Sequence, residues 1–165
     1  LLHKPERILD GHVRPGMIVL DIGCAMGFFS LPLARLVGPT GSVICLDLQP
    51  EMLRKLEARA HRAGLQDRIQ TQHCDPESLG LEQHRGDVDF ALAFAVVHEL
   101  PDASSFFAEL RAALKPTAEV LLAEPKARVP ETAFRRCLGI AEEQGFQHGA
   151  PLPIRRCHAA VLTRP

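Results

Sequence analysis

Three carboxylates stand where three apolar runs end. Asp21 follows Met17-Ile18-Val19-Leu20, Asp47 follows Val43-Ile44-Cys45-Leu46, and Asp75 closes the weaker alternation from Arg68 to His73. An ionised carboxylate only accepts hydrogen bonds and draws cations to it. Three of them along one edge could take a vicinal diol, an exocyclic amine and an ammonium group. After Asp21 comes Ile22-Gly23-Cys24-Ala25-Met26-Gly27-Phe28, whose glycines let the chain turn sharply and bring bare backbone up to a ligand. A helix opening at Phe28 would aim unpaired N–H groups back at that turn, which suits an anionic group such as a carboxylate. Each residue has a plainer reading as well. Asp21 could cap a helix, Asp75 before Pro76 could start a turn, and Asp47 alone would suit many nucleotide folds. Their joint order favours a ligand.

The glycine spacing narrows the ligand. Asp-x-Gly-x-Ala-x-Gly lacks the G-x-G-x-x-G of a dinucleotide fold, and no Gly-Lys-Ser/Thr follows to make a phosphate loop. An acid at the strand tip repels a pyrophosphate and welcomes an ammonium group. Cys24 within the turn reads as a small packing residue more readily than as a nucleophile. Apolar Leu48 and Phe94 could flank a purine. Ribose, adenine and an amino acid in one ligand describe S-adenosylmethionine or its demethylated product.

The elements that must hold these residues alternate along the chain. Residues 3–12 predict a short helix, with Pro5 in its first turn and Gly11 past its end. A strand through Leu20 leads into a helix with Phe29, Leu33, Leu36 and Val37 inward, stopped by Gly38-Pro39. Ser42 to Leu48 is a second strand. A helix from about Pro50 to Gly64 turns Met52, Leu53, Leu56, Ala60 and Ala63 inward. A short strand over Arg68–His73 follows, then a polar stretch with one helical turn, and a strand from Asp87 to about Phe94. Pro101-Asp102 opens a helix, with Asp102 as N-cap, that ends at Lys115-Pro116. Ala118–Ala123 is a strand and Pro130–Gln144 a helix. Two short strands finish the chain, the clearer being Cys157–Thr163. This alternation predicts an α/β fold, a doubly wound and mostly parallel sheet with helices on both faces. Right-handed crossovers place the strand ends on one edge.

Composition excludes several classes. At 165 residues the chain reads as one domain able to bury a core without disulfides. With 19 basic and 20 acidic side chains, net charge offers nothing to nucleic acid or an anionic membrane. The balance is uneven, with 6 basic to 11 acidic residues over 51–110 and 9 to 5 over 111–165. Five scattered cysteines without a C-x-x-C pair suit neither a disulfide framework nor a zinc site, so a cytoplasmic setting without metal is expected. No apolar run is long enough to span a membrane. The chain begins at Leu1 and not Met, which leaves room for a preceding segment. Trp and Tyr are absent, so an acceptor pocket must come from Phe, Leu, Val, Met and His.

Val19-Leu20-Asp21-Ile22-Gly23-Cys24-Ala25-Met26-Gly27 resembles motif I of the class I S-adenosylmethionine-dependent methyltransferases, with Ala25 where the family most often has Gly. Val43 to Leu53 resembles motif II and its helix. Asp87-Val88-Asp89-Phe90 through His98-Glu99-Leu100-Pro101-Asp102 is similar to motif IV of the quinone-biosynthesis branch. Leu110 to Pro116 with Val120-Leu121-Leu122 resembles the helix and strand that follow, though Thr117-Ala118 replaces the family's usual Gly-Gly. The resemblance implies a Rossmann-like three-layer sandwich of seven strands, the last antiparallel, with S-adenosylmethionine as cofactor. It carries cofactor contacts onto Asp21, Gly23, Cys24, Gly27 and Phe28 of the turn. It also carries them onto Asp47, Leu48 and Gln49 after the second strand, Asp75 and Pro76 after the third, and Phe94 of the fourth.

Methyl transfer needs mainly alignment and a dry site, and a base only where the acceptor must lose a proton. His98 lies where the family often places acceptor-side residues and could be that base, with Glu99 orienting it or acting itself. A turn or half-buried histidine is the plainer reading. Few residues precede the first strand or link Glu124 to Pro130, so the acceptor's roof is expected to be small. A homodimer mate, a partner protein, a preceding segment or a large substrate could complete it. The expectation is a small-molecule acceptor. The alternatives are a protein or RNA acceptor, RNA being disfavoured by charge and few aromatics, or a non-catalytic cofactor-binding subunit.

Overall fold

A computed structural model describes residues 4–165 of the chain. In chain order its elements are α1 (Pro5–Leu9), β1 (Ile18–Ile22), α2 (Ser30–Val37), β2 (Ser42–Asp47), α3 (Pro50–Arg62), β3 (Ile69–His73) and β4 (Val88–Phe94). There follow α4 (Ala103–Ala113), β5 (Leu114–Pro125), α5 (Glu131–Glu143), β6 (Gln147–His148) and β7 (Cys157–Thr163). Single 3-10 turns cover Gln66–Arg68, Glu82–His84 and Val97–Glu99.

The strands form one sheet in the order β3-β2-β1-β4-β5-β7-β6. β1 to β5 are parallel, and β7 runs antiparallel to both β5 and β6. The chain winds outward from β1 through β2 to β3, then returns to lay β4 on the other side of β1. That reversal opens a crevice at the carboxyl ends of β1 and β4, where ligands bind in such sheets. The Rossmann-like α/β fold with an antiparallel last strand is as the sequence implied.

Each central strand is apolar on both faces because helices cover both. Leu20 and Ile22 of β1 join Phe106, Phe107 and Leu110 of α4 and Phe134 of α5 in one core. Val19 joins Leu33 and Val37 of α2 and Leu53 and Leu56 of α3 in the other. Burying one such Leu or Val is worth roughly 1.5–3 kcal/mol, so a register slip along β1 would be costly.

Element bounds depart from the sequence reading where backbone geometry intervenes. α2 begins at Ser30 and not Phe28, because a turn closed by Gly27 N–H to Cys24 O at 2.9 Å, with Gly27 at φ +87°, occupies the preceding residues. α1 is shorter than residues 3–12, and His3 lies outside the described residues. Ala63 caps the end of α3 exposed instead of facing inward, and Gly64 beyond it is left-handed at φ +67°. β5 starts at Leu114, four residues before expectation. Leu114 pairs with Val88, the register then shifts, and pairing resumes at Phe90 with Glu119. Lys115 Nζ reaches Asp89 Oδ1 at 2.7 Å across the irregularity.

Candidate active site

The turn after β1 is held by the neighbouring strand. Gly23 and Cys24 N–H both donate to Leu46 O at 2.9 Å. Ala25 takes a left-handed φ of +46°, and its N–H donates to Asp47 Oδ2 at 2.9 Å. Gln49 N–H donates to Asp47 Oδ1 at 2.8 Å. One carboxylate therefore ties the glycine turn to the start of α3, and each oxygen keeps a second lone pair. Gly23 has φ +70°, and a Cβ there would come within 2.4 Å of Val96 Cγ2. Only glycine fits.

Asp21 is buried beneath this turn, 3% exposed, and accepts a hydrogen bond from Ser30 Oγ at 2.5 Å. Burial pushes its carboxyl up to about 6, with the Ser30 hydrogen bond opposing and the Asp47 charge adding to the rise. Cys24 is buried too. A hydrogen bond with Cys45, and then burial, push its thiol far above the ordinary range, so it has no thiolate to offer as a nucleophile.

Beyond β3 the chain makes a tight turn, with Asp75 N–H to Ser78 O at 3.1 Å and Ser78 N–H to Asp75 O at 3.2 Å. Glu109 of α4 fastens it, accepting from Ser78 Oγ at 3.2 Å and Leu79 N–H at 2.9 Å. Asp102 caps α4 as expected, accepting from Ser104 N–H at 2.9 Å and Ser105 N–H at 3.2 Å.

These segments enclose a cleft of about 230 Å³. Of the residues singled out from the sequence, Gly23, Asp47, Leu48, Gln49, Asp75, Pro76 and Glu99 line it. Asp21, Cys24, Gly27, Phe28, Phe94 and His98 are not among its lining. Asp21 and Cys24 lie under the turn. The Phe94 ring packs against Phe29, centroids 4.8 Å apart, on the face that α2 covers. The apolar side chains that line the cleft are instead Leu48 and Met52, with Leu79, Val96 and Phe106. Sequence reading missed the second group because their spacing is that of ordinary core and loop residues.

A second cluster lies at the end of β4 and β5. The imidazole of His98 is hydrogen-bonded through Nδ1 to Glu124 Oε2, and Glu124 Oε1 accepts from Val97 N–H at 2.7 Å. Glu124 is 1% exposed. Glu99, expected to orient His98, stands 3.8 Å from its Nε2 and pairs with Arg128 at 3.3 Å. The orienting carboxylate is Glu124. Its signal was present in the sequence: like Asp21 and Asp47, it is a lone acid ending an apolar run, Val120 to Ala123.

A doubly wound sheet with a glycine turn at its switch point, and a carboxylate ending the adjacent strand, defines a nucleotide-cofactor domain of the Rossmann-like class. A family model described as a methyltransferase domain matches residues 19–117. The chain belongs to that family, among class I S-adenosylmethionine-dependent methyltransferases resembling the quinone-biosynthesis types. It is 31% identical over 112 residues to a demethylmenaquinone methyltransferase of Lactobacillus johnsonii, covering 68% of this chain and 45% of that protein. It is 31% identical over 132 residues to a nocamycin O-methyltransferase of Saccharothrix syringae, covering 79% and 45%. The chain spans about a third to a half of the length of the curated relatives it matches. In fold it is similar to a SAM-dependent methyltransferase of Aquifex aeolicus, with TM-score 0.88 and 24% identity, covering 99% of this chain and 91% of that one.

Proposed function

We propose that this chain binds S-adenosylmethionine in the cleft and transfers its methyl group to a small-molecule acceptor at the carboxyl ends of β4 and β5. The observation that carries the reading is Asp47, which ends β2, spans the glycine turn and the start of α3, and lines the cleft. Its free lone pairs suit a ribose diol. The cleft is also lined by apolar groups, including Leu48, Met52 and Leu79, which suit an adenine. Asp75, after the neighbouring strand β3, also lines the cleft and suits its exocyclic amine. The bare Gly23 backbone admits the ligand where a side chain could not. A small acceptor agrees with the relatives named for quinones and nocamycin. The five cysteines are unpaired, as a reducing cytoplasm would keep them.

Calorimetric titration tests the reading. Micromolar binding of S-adenosylmethionine and S-adenosylhomocysteine is expected, weakened at least tenfold, about 1.4 kcal/mol, by Asp47→Ala. Folded wild-type protein that binds neither would sink it.

A second reading concerns the roof over the acceptor. Met26, Phe28 and Leu48 are the large hydrophobic residues exposed among those described, and all three belong to the turns around the cleft. A second copy or a partner protein covering them would complete the acceptor pocket. Sedimentation with cofactor present would show the assembly, and a monomer that turns over at full rate would count against it.

A further inference from the structure

We infer that Glu124 and His98 form the proton-accepting pair of this site, and hence that the acceptor is a hydroxyl compound, a phenol or enol, that gives up its proton on methylation. The inference rests on the methyltransferase reading above.

Glu124 is the innermost group of the pair. Its carboxylate can only accept, so the imidazole nitrogen facing it, Nδ1, carries the hydrogen. A neutral ring then keeps its lone pair on Nε2. The second oxygen of Glu124 is fixed by the Val97 N–H at 2.7 Å, within the 3-10 turn that carries His98. Ring tautomer and ring direction are therefore both set by one buried acid on a different strand.

The other end of the ring is unfinished. Nε2 of His98 is buried and has no hydrogen-bond partner among the described residues. Buried polar atoms without partners are rare in native structures and call for an explanation such as a ligand or a catalytic role. The nearest ionisable oxygen, Glu99 Oε1 at 3.8 Å, is too far for a hydrogen bond and belongs to a cleft-lining side chain. Glu99 is exposed and held by the equally exposed Arg128, so it can swing aside at little cost. Catalytic hydrogen bonds are often long in the empty site and tighten in the complex.

The chemistry follows. The acceptor oxygen forms a bond to the methyl carbon of the cofactor, and the carbon–sulfur bond breaks with its electron pair left on sulfur. The acceptor proton passes to Nε2, and the resulting imidazolium is stabilised by the Glu124 carboxylate until solvent removes the proton. A histidine that merely ties β4 to β5 would share that tautomer but would have no use for a vacant, buried Nε2.

The test uses the full chain. Nitrogen-15 spectra of labelled histidine should show wild-type His98 protonated on Nδ1 and bare on Nε2 at neutral pH. In Glu124→Gln the tautomer preference should be lost, because an amide can donate to Nδ1 as well as accept from it. The remaining ionisable groups around the pair are Glu99, Arg128, Lys126, His158 of β7 and the thiols of Cys137 and Cys157. With 1,4-dihydroxynaphthalene as probe under anaerobic conditions, His98→Asn and Glu124→Gln should lower kcat by about 10²-fold or more. Cofactor affinity should stay within twofold. A wild-type Nε2–H tautomer overturns the inference without needing any variant to fold. So does an unchanged kcat in Glu124→Gln, or no transfer to the probe despite cofactor binding. Failure of the wild type to bind cofactor would overturn the methyltransferase reading instead, and this role with it.

Discussion

Asp21 is an acid kept where a charge is unwelcome. It is fully enclosed, close to Asp47, and has one hydroxyl from Ser30 for support. Burial holds its carboxyl up to about 6, against about 3.8 in the unfolded chain. The folded protein thus binds this proton more tightly than the unfolded chain does. Its contribution to stability is full below pH 3.8 and is lost as pH rises through 6. About two pH units at 1.36 kcal/mol each bound the effect near 3 kcal/mol. Asp21→Asn should therefore gain on wild type by up to about 3 kcal/mol between pH 4 and pH 7, read from denaturant midpoints at each pH. A difference that does not change with pH would show that Asp21 titrates normally. Glu124 is as deeply buried, but it has two donors, from His98 and Val97, and meets its charge with hydrogen bonds. Two strands on either side of β4 thus house two buried acids in different hydrogen-bonding surroundings.

At the scale of elements, what the sequence shows well is apolar periodicity. The strand ending at Phe94, the strand from Cys157 to Thr163 and the Asp102 cap were all legible, because each is a local pattern with a local cause. The acids at the ends of β1 and β2 were legible for the same reason. The start of β5 was not. Pro116 argues against a strand interior, and only the tertiary pairing of Leu114 with Val88 shows that the strand begins earlier. Glu124 was readable as a strand-end acid, but its partner His98 lies 26 residues away, and no local spacing links the two. Thr117 illustrates the cost of such long-range demands. It holds φ +66° beside the register shift, with its N–H on Arg164 O at 2.8 Å. A β-branched residue is a genuine outlier there. Thr117→Gly should relieve about 1–2 kcal/mol of left-handed strain against roughly 0.5–1 kcal/mol of added chain entropy. A rise in Tm of about 2–4 °C is expected by calorimetry. A fall would mean that the threonine side chain makes up for its own strain.

For the molecule as a whole, the sheet divides labour between its two ends. On the β3 side, the cleft is closed by turns: Asp75 to Ser78, hung from Glu109, and the glycine turn, hung from Asp47. On the β5 side, Glu124 extends from a strand bonded on both edges, to β4 through Phe90–Phe94 and to β7 through Cys157–Thr163. Leu121, Leu122 and Ala123 leave nothing exposed, and Glu124 only 1%. Such segments open only when the whole domain unfolds, whereas turns with exposed backbone open locally. Amide hydrogens of residues 120–124 should therefore be among the slowest to exchange with deuterium, and those of residues 75–78 should exchange faster by orders of magnitude. Comparable rates in the two segments would contradict this. The acid that sets the histidine's tautomer would then be a clock that stops last on heating. A protein warmed far enough to loosen the turns of its cleft would still hold Glu124 in place, and on cooling the turn that carries His98 would find its partner carboxylate already set.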